Sequence, residues 1–538
     1  MTDKIEINGR ALRLAWWILA VIVFGVVIAI RIRLLGIPLE RDEGEYAYAG
    51  QLILQGIPPY QLAYNMKFPG TYAAYAVIMS VFGQTVTGIH LGLLLVNAAT
   101  VVLIFFLGRR LFSLTGGLTA ASIYAVLSLS QSVLGLAAHA TQFVMLPVLG
   151  GTLLLLLNES DRPAFTRLFA SGVLFGIGLL MKQPAVFFIL FGAVFLLCNG
   201  IHHHSTLKTI TLRISIFGAG AIVPFGLTCL LLWRAGVFQK FWFWTINYAA
   251  QYGTLVPLSA APRIFAVMAG RVIGSGWTLW TLVGLGLVAG FWNKPARGGA
   301  VFLFGLLAAS LQALSAGLYF REHYFIFILP AVSLFAGLAI STLSDLVASR
   351  SVVRFLPLFL FCVALSQPIL GARKFYFDVS PSEASRITYG SNPFPESVRI
   401  AEYVRDHSSP SDTIAVLGSE PQIYFYSNRH SATGYIYTYG LMEAQGYAWR
   451  MQEEMIREIE LARPRYLVSV GIGASWYPRP ESEQLIFTWA NDYLNQRYSI
   501  VAFVNILSAD RTDYYFGDVP QNVQQLNYIL IYERKSDQ

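Results

Sequence analysis

The sequence predicts a polytopic α-helical membrane part followed by a C-terminal extracytoplasmic α/β domain, and three observations lead there. The chain is 55% hydrophobic and 13% charged, whereas soluble domains carry about a quarter charged residues. Its apolar residues fall in blocks long enough to cross a bilayer, which takes roughly 20 residues each. The charges also divide unevenly, with 23 Lys/Arg against 10 Asp/Glu in residues 1–370 and 15 against 20 in residues 371–538. A cationic transmembrane domain (1–370) is therefore expected to precede an acidic soluble domain (371–538).

Eleven apolar runs read as spans, at about 14–35, 87–108, 116–134, 141–157, 166–181, 184–198, 213–233, 272–291, 299–317, 324–341 and 354–371. The first is long and has no small-residue cleavage site, so it reads as a retained span rather than a cleavable signal. The stretch 71–83 is apolar but short, which suits a re-entrant or interfacial segment. With the N-terminus inside, the inner segments hold Lys4/Arg10/Arg13, Arg109/Arg110, Arg162/Arg167, Lys208/Arg213, Lys294/Arg297 and Arg350/Arg354, as the positive-inside rule expects. An odd number of spans then puts the C-terminal domain outside. There, helices are expected over 396–406, 442–461 and near 483–497, and strands over 413–417, 466–470, 499–504 and 528–532. Such alternation suggests a sheet covered by helices.

Some function classes fall away. The excess of positive charge belongs to the membrane part, where basic residues flank spans or meet anionic membrane lipids. No basic stripe or recognised motif supports nucleic-acid binding. Cys198, Cys229 and Cys362 lie within or beside apolar runs, so the polar C-terminal region has neither disulfides nor cysteine metal sites. The tract His202-His203-His204 has a metal-binding composition, but it lies on the inner side, away from every other candidate.

The placement of carboxylates is more informative. Of the ten before residue 371, only Glu40, Asp42, Glu43, Glu45 and Glu322 face outward in this topology, and the first four fall within six residues. Acid–base chemistry on the outer face of the membrane part therefore has almost one possible location. Tyr46, Gly50 and Ile53/Leu54 recur at helical spacing, so Glu43–Leu54 reads as an amphipathic helix on the membrane surface. Asp42 would stand at its N-terminus, where the helix dipole favours an ionised carboxylate and where an aspartate is also a simple cap. Lys67 precedes the short apolar stretch, and is the residue type that snorkels at interfaces. Lys182, in a tight break between two outward ends of spans, has no topogenic purpose and suits a phosphate at the bilayer surface. Arg321, Glu322 and His323 make a third polar island before Tyr324; Arg321 and Glu322 read equally as an ion pair. Phe241-Trp242-Phe243-Trp244 reads as an interfacial aromatic belt.

Several segments resemble a known family. Asp42-Glu43-Gly44-Glu45-Tyr46-Ala47-Tyr48, Gly56-Ile57-Pro58-Pro59-Tyr60 and Tyr64-Asn65-Met66-Lys67-Phe68-Pro69-Gly70 resemble the first outer loop of the GT-C glycosyltransferases. The most similar branch is the bacterial one related to protein O-mannosyltransferases and to the enzyme that adds aminoarabinose to lipid A. Leu107-Gly108-Arg109-Arg110-Leu111-Phe112, Lys182-Gln183-Pro184, His323-Tyr324, Asn392-Pro393-Phe394 and Leu417–Tyr424 extend the likeness over most of the chain. The resemblance implies a GT-C fold in a bacterial inner (plasma) membrane, with the active site on the periplasmic side. It implies a polyprenyl-phosphate sugar donor, a glycan, lipid or protein acceptor, and inversion without a metal or other cofactor. Asp42 would be the general base with Glu43 beside it, and Lys67, Lys182, Arg321, His323 and Tyr324 would bind substrate. Where some relatives have a second carboxylate near the fourth span, this chain has Ala140-Thr141-Gln142; Met66 and His90 also depart from the aminoarabinose branch. The alternatives are a transporter or flippase for lipid-linked sugars and a non-catalytic assembly subunit with the same fold.

Overall fold

The computed structural model describes residues 2–157, 164–292, 297–348, 353–517, 519–520 and 527–536. Glu159, Asp161, Arg162, Lys294 and Arg350, which enter the topology reading, lie outside the described residues. The chain forms two compact units. One comprises Met1–Leu35, His90–Thr228 and Val256–Val379; the other comprises Gly36–Ile89, Cys229–Leu255 and Ser380–Gln538.

The eleven apolar runs are largely helical, though 272–291 straddles the break between Ala261–Ser275 and Trp277–Trp292, and 324–341 starts in the 3₁₀ segment Glu322–Phe327 before the helix Leu329–Val347. By length and composition, seven helices of the described residues can cross a bilayer, or eight if Leu258–Ser275 and Trp277–Trp292, bent by 106° at their break, make one span. Four further apolar helices of the described residues are shorter: Gly70–Phe82, Leu114–Leu127, Ala140–Leu156 and Phe165–Met181. The run expected over 116–134 stops early because Ser128 closes the helix and Ser130 caps a 3₁₀ turn at Gln131–Val133. Val21, Leu190, Leu231 and Phe291 are exposed on the long helices. Apolar residues all round a helix mark burial in lipid, and the chain is an integral membrane protein.

In the second unit the strands are β1 (Thr413–Leu417), β2 (His430–Ser431), β3 (Tyr466–Gly471), β4 (Tyr498–Ile506), β5 (Thr512–Phe516) and β6 (Tyr528–Arg534). They form one mixed sheet in the order β2-β1-β3-β6-β4-β5. β1 runs parallel to β2 and β3, while β6 runs antiparallel to β3 and β4. The helices Phe394–Asp406 and Leu485–Arg497 lie close to where the sequence places them. The long charged helix begins at Ala448 rather than at 442, because Tyr439–Met442 makes a separate turn. Its Met451, Met455 and Ile459, spaced four apart on one face, enter a core with Leu441, Trp476 and Ile486.

Two sequence expectations need correction. The aromatic run at 241–244 is no simple belt: Phe241 and Trp244 are buried, with Phe241 against Tyr60 and Trp244 stacked on Tyr64. The acidic helix is likewise not amphipathic in its setting. It spans Arg41–Leu54, and every residue from Glu43 to Leu52 is buried. Large aromatic and small residues alternate there in a way that local periodicity reads as a wet face, but this unit covers both sides.

Candidate active site around Asp42

The helix carrying the acidic motif begins two residues earlier than its apolar spacing suggests. Glu40, extended at φ −78° and ψ 179°, is the N-cap, and its side chain accepts from the Glu43 N–H. Glu43 returns the bond, accepting from the Glu40 N–H at 3.3 Å, which completes a capping box. The cap is thus Glu40, not Asp42, and the Glu43 carboxylate is turned to the start of its own helix. Burial, then the charges of Asp42 and Glu43, push Glu40 well above the ordinary carboxylate range. Asp42 stands in the first turn, at the positive end of the helix dipole.

Lys67 ties this turn to the following loop. Its Nζ donates to Asp42 Oδ1 at 2.9 Å and to Glu45 Oε2 at 2.7 Å, and it lies 4.6 Å from the Tyr46 ring centroid. Glu45 also accepts from Tyr72 Oη at 2.6 Å and Asn65 Nδ2 at 2.8 Å. Burial raises the Glu45 pKa against the pull of Lys67, and Asp42 adds to the rise. Burial would neutralise Lys67, yet Asp42 and Glu45 outweigh it and hold the lysine above its ordinary value. The ammonium is therefore a fixed charge between two carboxylates.

The C-terminal segment of the same unit supplies a residue that sequence reasoning missed. Tyr437 Oη donates to Asp42 Oδ1 at 3.3 Å, and its ring lies 5.4 Å from Lys67 Nζ. Burial, then the Asp42 charge, raises the Tyr437 pKa well above that of a free phenol, so it stays a neutral donor. Its only signal is the aromatic alternation Tyr435-Ile436-Tyr437-Thr438-Tyr439. Tyr437→Phe is expected to remove one hydrogen bond worth about 1 kcal/mol. Any transfer activity should then fall about fivefold with at most a small drop in melting temperature, as read by initial rates and a melting curve.

Arg41 pins the helix start. Its Nε donates to Ser419 O at 2.5 Å, and its Nη2 donates to Asn392 Oδ1 at 3.1 Å and Glu420 Oε1 at 2.9 Å. The guanidinium lies between the rings of Phe394 and Tyr439, 5.4 and 5.3 Å from their centroids. Glu420, fully buried, also accepts from Ser475 Oγ at 2.6 Å. Asn392, Phe394 and the Gly418–Glu420 turn are thus the grip on the acidic motif. Gly44 lets the helix approach that turn. A Cβ there would sit 2.6 Å from Gln422 N and 2.9 Å from its Cα, so Gly44→Ala is expected to cost about 1–3 kcal/mol through backbone shifts, measurable as a lowered melting temperature.

The other predicted site residues belong to the first unit. Lys182, with extended backbone at the break after Phe165–Met181, places Nζ 3.4 Å from His323 Nε2 and 4.1 Å from the Tyr324 ring centroid. The His323 ring stacks on His139 at 4.1 Å and 10°, a partner not expected from the sequence. Arg321 lies over the Tyr319 ring at 5.3 Å, and Glu322 is 4.0 Å from Arg271. The Gln142 amide, at the place of the missing carboxylate, donates to Gly135 O at 3.3 Å. His202 ends its helix and His203 and His204 follow it, all three exposed.

Comparison with known proteins agrees with the resemblance. Residues 67–233 match the family described as dolichyl-phosphate-mannose-protein mannosyltransferase. No curated protein matches the chain in sequence. Among solved structures, ArnT from Cupriavidus metallidurans bound to undecaprenyl phosphate aligns with a TM-score of 0.55 at 14% identity, covering 96% of this chain and 98% of that one. The apo Archaeoglobus fulgidus oligosaccharyltransferase aligns with a TM-score of 0.53 at 12% identity, covering 95% and 75%. AglB from the same organism, in complex with an inhibitory peptide and a dolichol-phosphate, aligns at 0.51 and 11%, covering 96% and 75%. A helical membrane protein with a six-stranded C-terminal domain, the chain has the fold of the GT-C glycosyltransferases.

Proposed function

We propose that the chain transfers a sugar from a polyprenyl monophosphate to an acceptor on the outer side of the bacterial inner membrane, with inversion and with Asp42 as general base. The observation that carries this reading is the setting of Asp42. It is a carboxylate of the first loop, expected from the charge pattern to face outward, held at a helix N-terminus by Lys67 and Tyr437. A base must be within hydrogen-bond reach of the acceptor and rigidly aimed, and two charged or polar partners on one carboxylate oxygen supply that aim. The structural relatives were solved with undecaprenyl phosphate and with a dolichol-phosphate, which supports a lipid-phosphate donor.

In this mechanism the acceptor nucleophile attacks the anomeric carbon and gives its proton to Asp42. The bond from that carbon to the donor phosphate oxygen breaks, and the electron pair leaves with the polyprenyl phosphate. Within the first unit, Lys182 beside His323 and Tyr324 is suited to a phosphate, since a cation stabilises charge that develops on a leaving group. Lys67, engaged with Asp42 and Glu45, acts as the support of the base as well as a cation of the site. Transfer should be the same in excess EDTA as in its absence, measured with the purified chain; inactivation by chelator would mean that a metal, and not the lysines, stabilises the leaving phosphate. Glu43, as a capping residue, supports the helix that carries the base.

The Gln142 amide, bonded to Gly135 near the place where the resemblance puts a second carboxylate in some relatives, keeps the non-catalytic subunit as a second reading. Turnover of a radiolabelled polyprenyl-phosphate sugar by the purified chain decides between them, and also separates an enzyme from a flippase.

A further inference from the structure

Lys67 and Tyr437 both donate to the same oxygen of Asp42, and both stand on irregular backbone. Lys67 belongs to the loop after the acidic helix, and Tyr437 to the segment after β2. The aim of the base therefore depends on what fixes these two segments.

One carboxylate reaches both. Glu458, in the helix Ala448–Ala462, accepts from Tyr64 Oη at 2.9 Å through Oε1. Through Oε2 it accepts from Thr433 Oγ1 at 2.6 Å and from the Gly434 N–H at 2.9 Å. Tyr64 stands three residues before Lys67, and Gly434 three residues before Tyr437. The segments also meet directly, since the Tyr64 N–H donates to Gly434 O at 2.7 Å. A Cβ on Gly434 would lie 2.2 Å from the Tyr64 ring, so only glycine lets the ring settle there. One helical turn earlier, Glu454 accepts from Tyr435 Oη at 2.8 Å. At the lysine itself, Tyr60 Oη donates to Lys67 O at 2.7 Å.

This arrangement has a cost. Burial pushes the Glu458 carboxyl up and Glu454, four residues away on the same helix, adds to the rise, while Thr433, Gly434 and the Lys240 charge pull it down. Lys240 Nζ donates to Tyr64 Oη and lies 4.0 Å from that ring's centroid, so a cation backs the tyrosine. Stability alone would be served as well by packed apolar groups at such a place. Here the polar bonds converge instead on the neighbours of two groups that touch Asp42.

We propose that Glu458 is a positioning residue for the transfer reaction: it clamps the Lys67 loop to the Tyr437 segment and so aims Asp42. The inference rests on the proposed role of Asp42 as base. Glu458 does not touch the reacting atoms. It acts through Tyr64 and Lys67 on one side, and through Gly434 and Tyr437 on the other.

The test combines initial transfer rates with hydrogen–deuterium exchange on the purified full-length chain. Glu458→Ala should lower kcat on the order of tenfold, as both donors to Asp42 loosen. It should also speed exchange over residues 62–68 and 433–438. Adding Tyr437→Phe to it should cost less than about twofold, against about fivefold in wild type, because that bond is already slack. Glu458→Gln, which keeps an acceptor for Thr433 and Gly434, should recover part of the rate. Met455→Ala, which opens a cavity in the core beside the same helix, should lower the melting temperature and leave kcat near that of wild type. Tyr64→Phe cuts one arm only; it should speed exchange over 62–68 alone, and it carries the test if Glu458→Ala does not fold. The proposal is overturned if Glu458→Ala transfers at a near-normal rate, if exchange quickens in neither segment, if the Glu458→Ala and Tyr437→Phe losses multiply, or if Met455→Ala loses activity equally. Normal turnover by Asp42→Asn would instead remove the base reading, whereas the exchange pattern would still decide whether Glu458 holds the two segments.

Discussion

Asp42→Asn is expected to lower sugar transfer by about 10²–10⁴, the usual contribution of a positioned general base, while the protein remains folded and inserted. Asparagine keeps the shape and can still accept from Tyr437 and Lys67, so the loss should be in turnover rather than in donor affinity. The distinguishing measurement is kcat against KM for the polyprenyl-phosphate sugar, with Glu45→Gln as comparison. Glu45 is buried and bonded to Lys67, Tyr72 and Asn65, so its loss should act on stability and on the placement of Lys67. Near-normal turnover by Asp42→Asn would remove the aspartate from the base role and with it the proposed mechanism.

The second large effect concerns the anchor. Glu420→Ala leaves the Arg41 guanidinium buried with its carboxylate partner gone, and removing one member of a buried pair costs about 3–5 kcal/mol. Burial opposes the Arg41 charge, and in the wild type Tyr439 and Glu420 more than restore it; in the variant the guanidinium still keeps its proton, because arginine is too basic to be deprotonated in proteins. The double variant Arg41→Met/Glu420→Leu should recover much of the lost stability, because replacing both charges by packed apolar groups is often neutral. It should not recover activity, since the helix start that presents Asp42 would lose its bonds to Ser419 and Asn392. Thermal unfolding of the single and double variants, beside transfer rates, separates the two effects. If Glu420→Ala melts like wild type, the pair does not pin the helix start.

These effects show where the sequence is readable. The spans are legible because lipid as solvent demands long apolar runs, and the four expected strands and the helices of the C-terminal domain are legible because periodicity reports a buried face. Asp42 and Lys67 are conspicuous through charge placement alone. What covers them is not. Arg41 meets Ser419 378 residues away and Tyr437 meets Asp42 across 395, and no local pattern encodes such partners. The capping residue is missed because glutamate is not among the favoured N-caps. β5 is missed because all five of its residues are half-buried, and β2 because two residues carry no period.

The long separation across Arg41, Asp42 and Tyr64 also sets an order of events. Tyr64 reaches Glu458 over 394 residues, so every tertiary bond from residues 392–458 to the acidic helix must wait for the last third of the chain to leave the ribosome. Pairing over such distances is slow compared with local helix formation. A nascent chain can thus have most of its helices while the acidic helix and the loop after it still lack their partners at Asn392, Ser419, Tyr437 and Glu458, which arrive only late in synthesis.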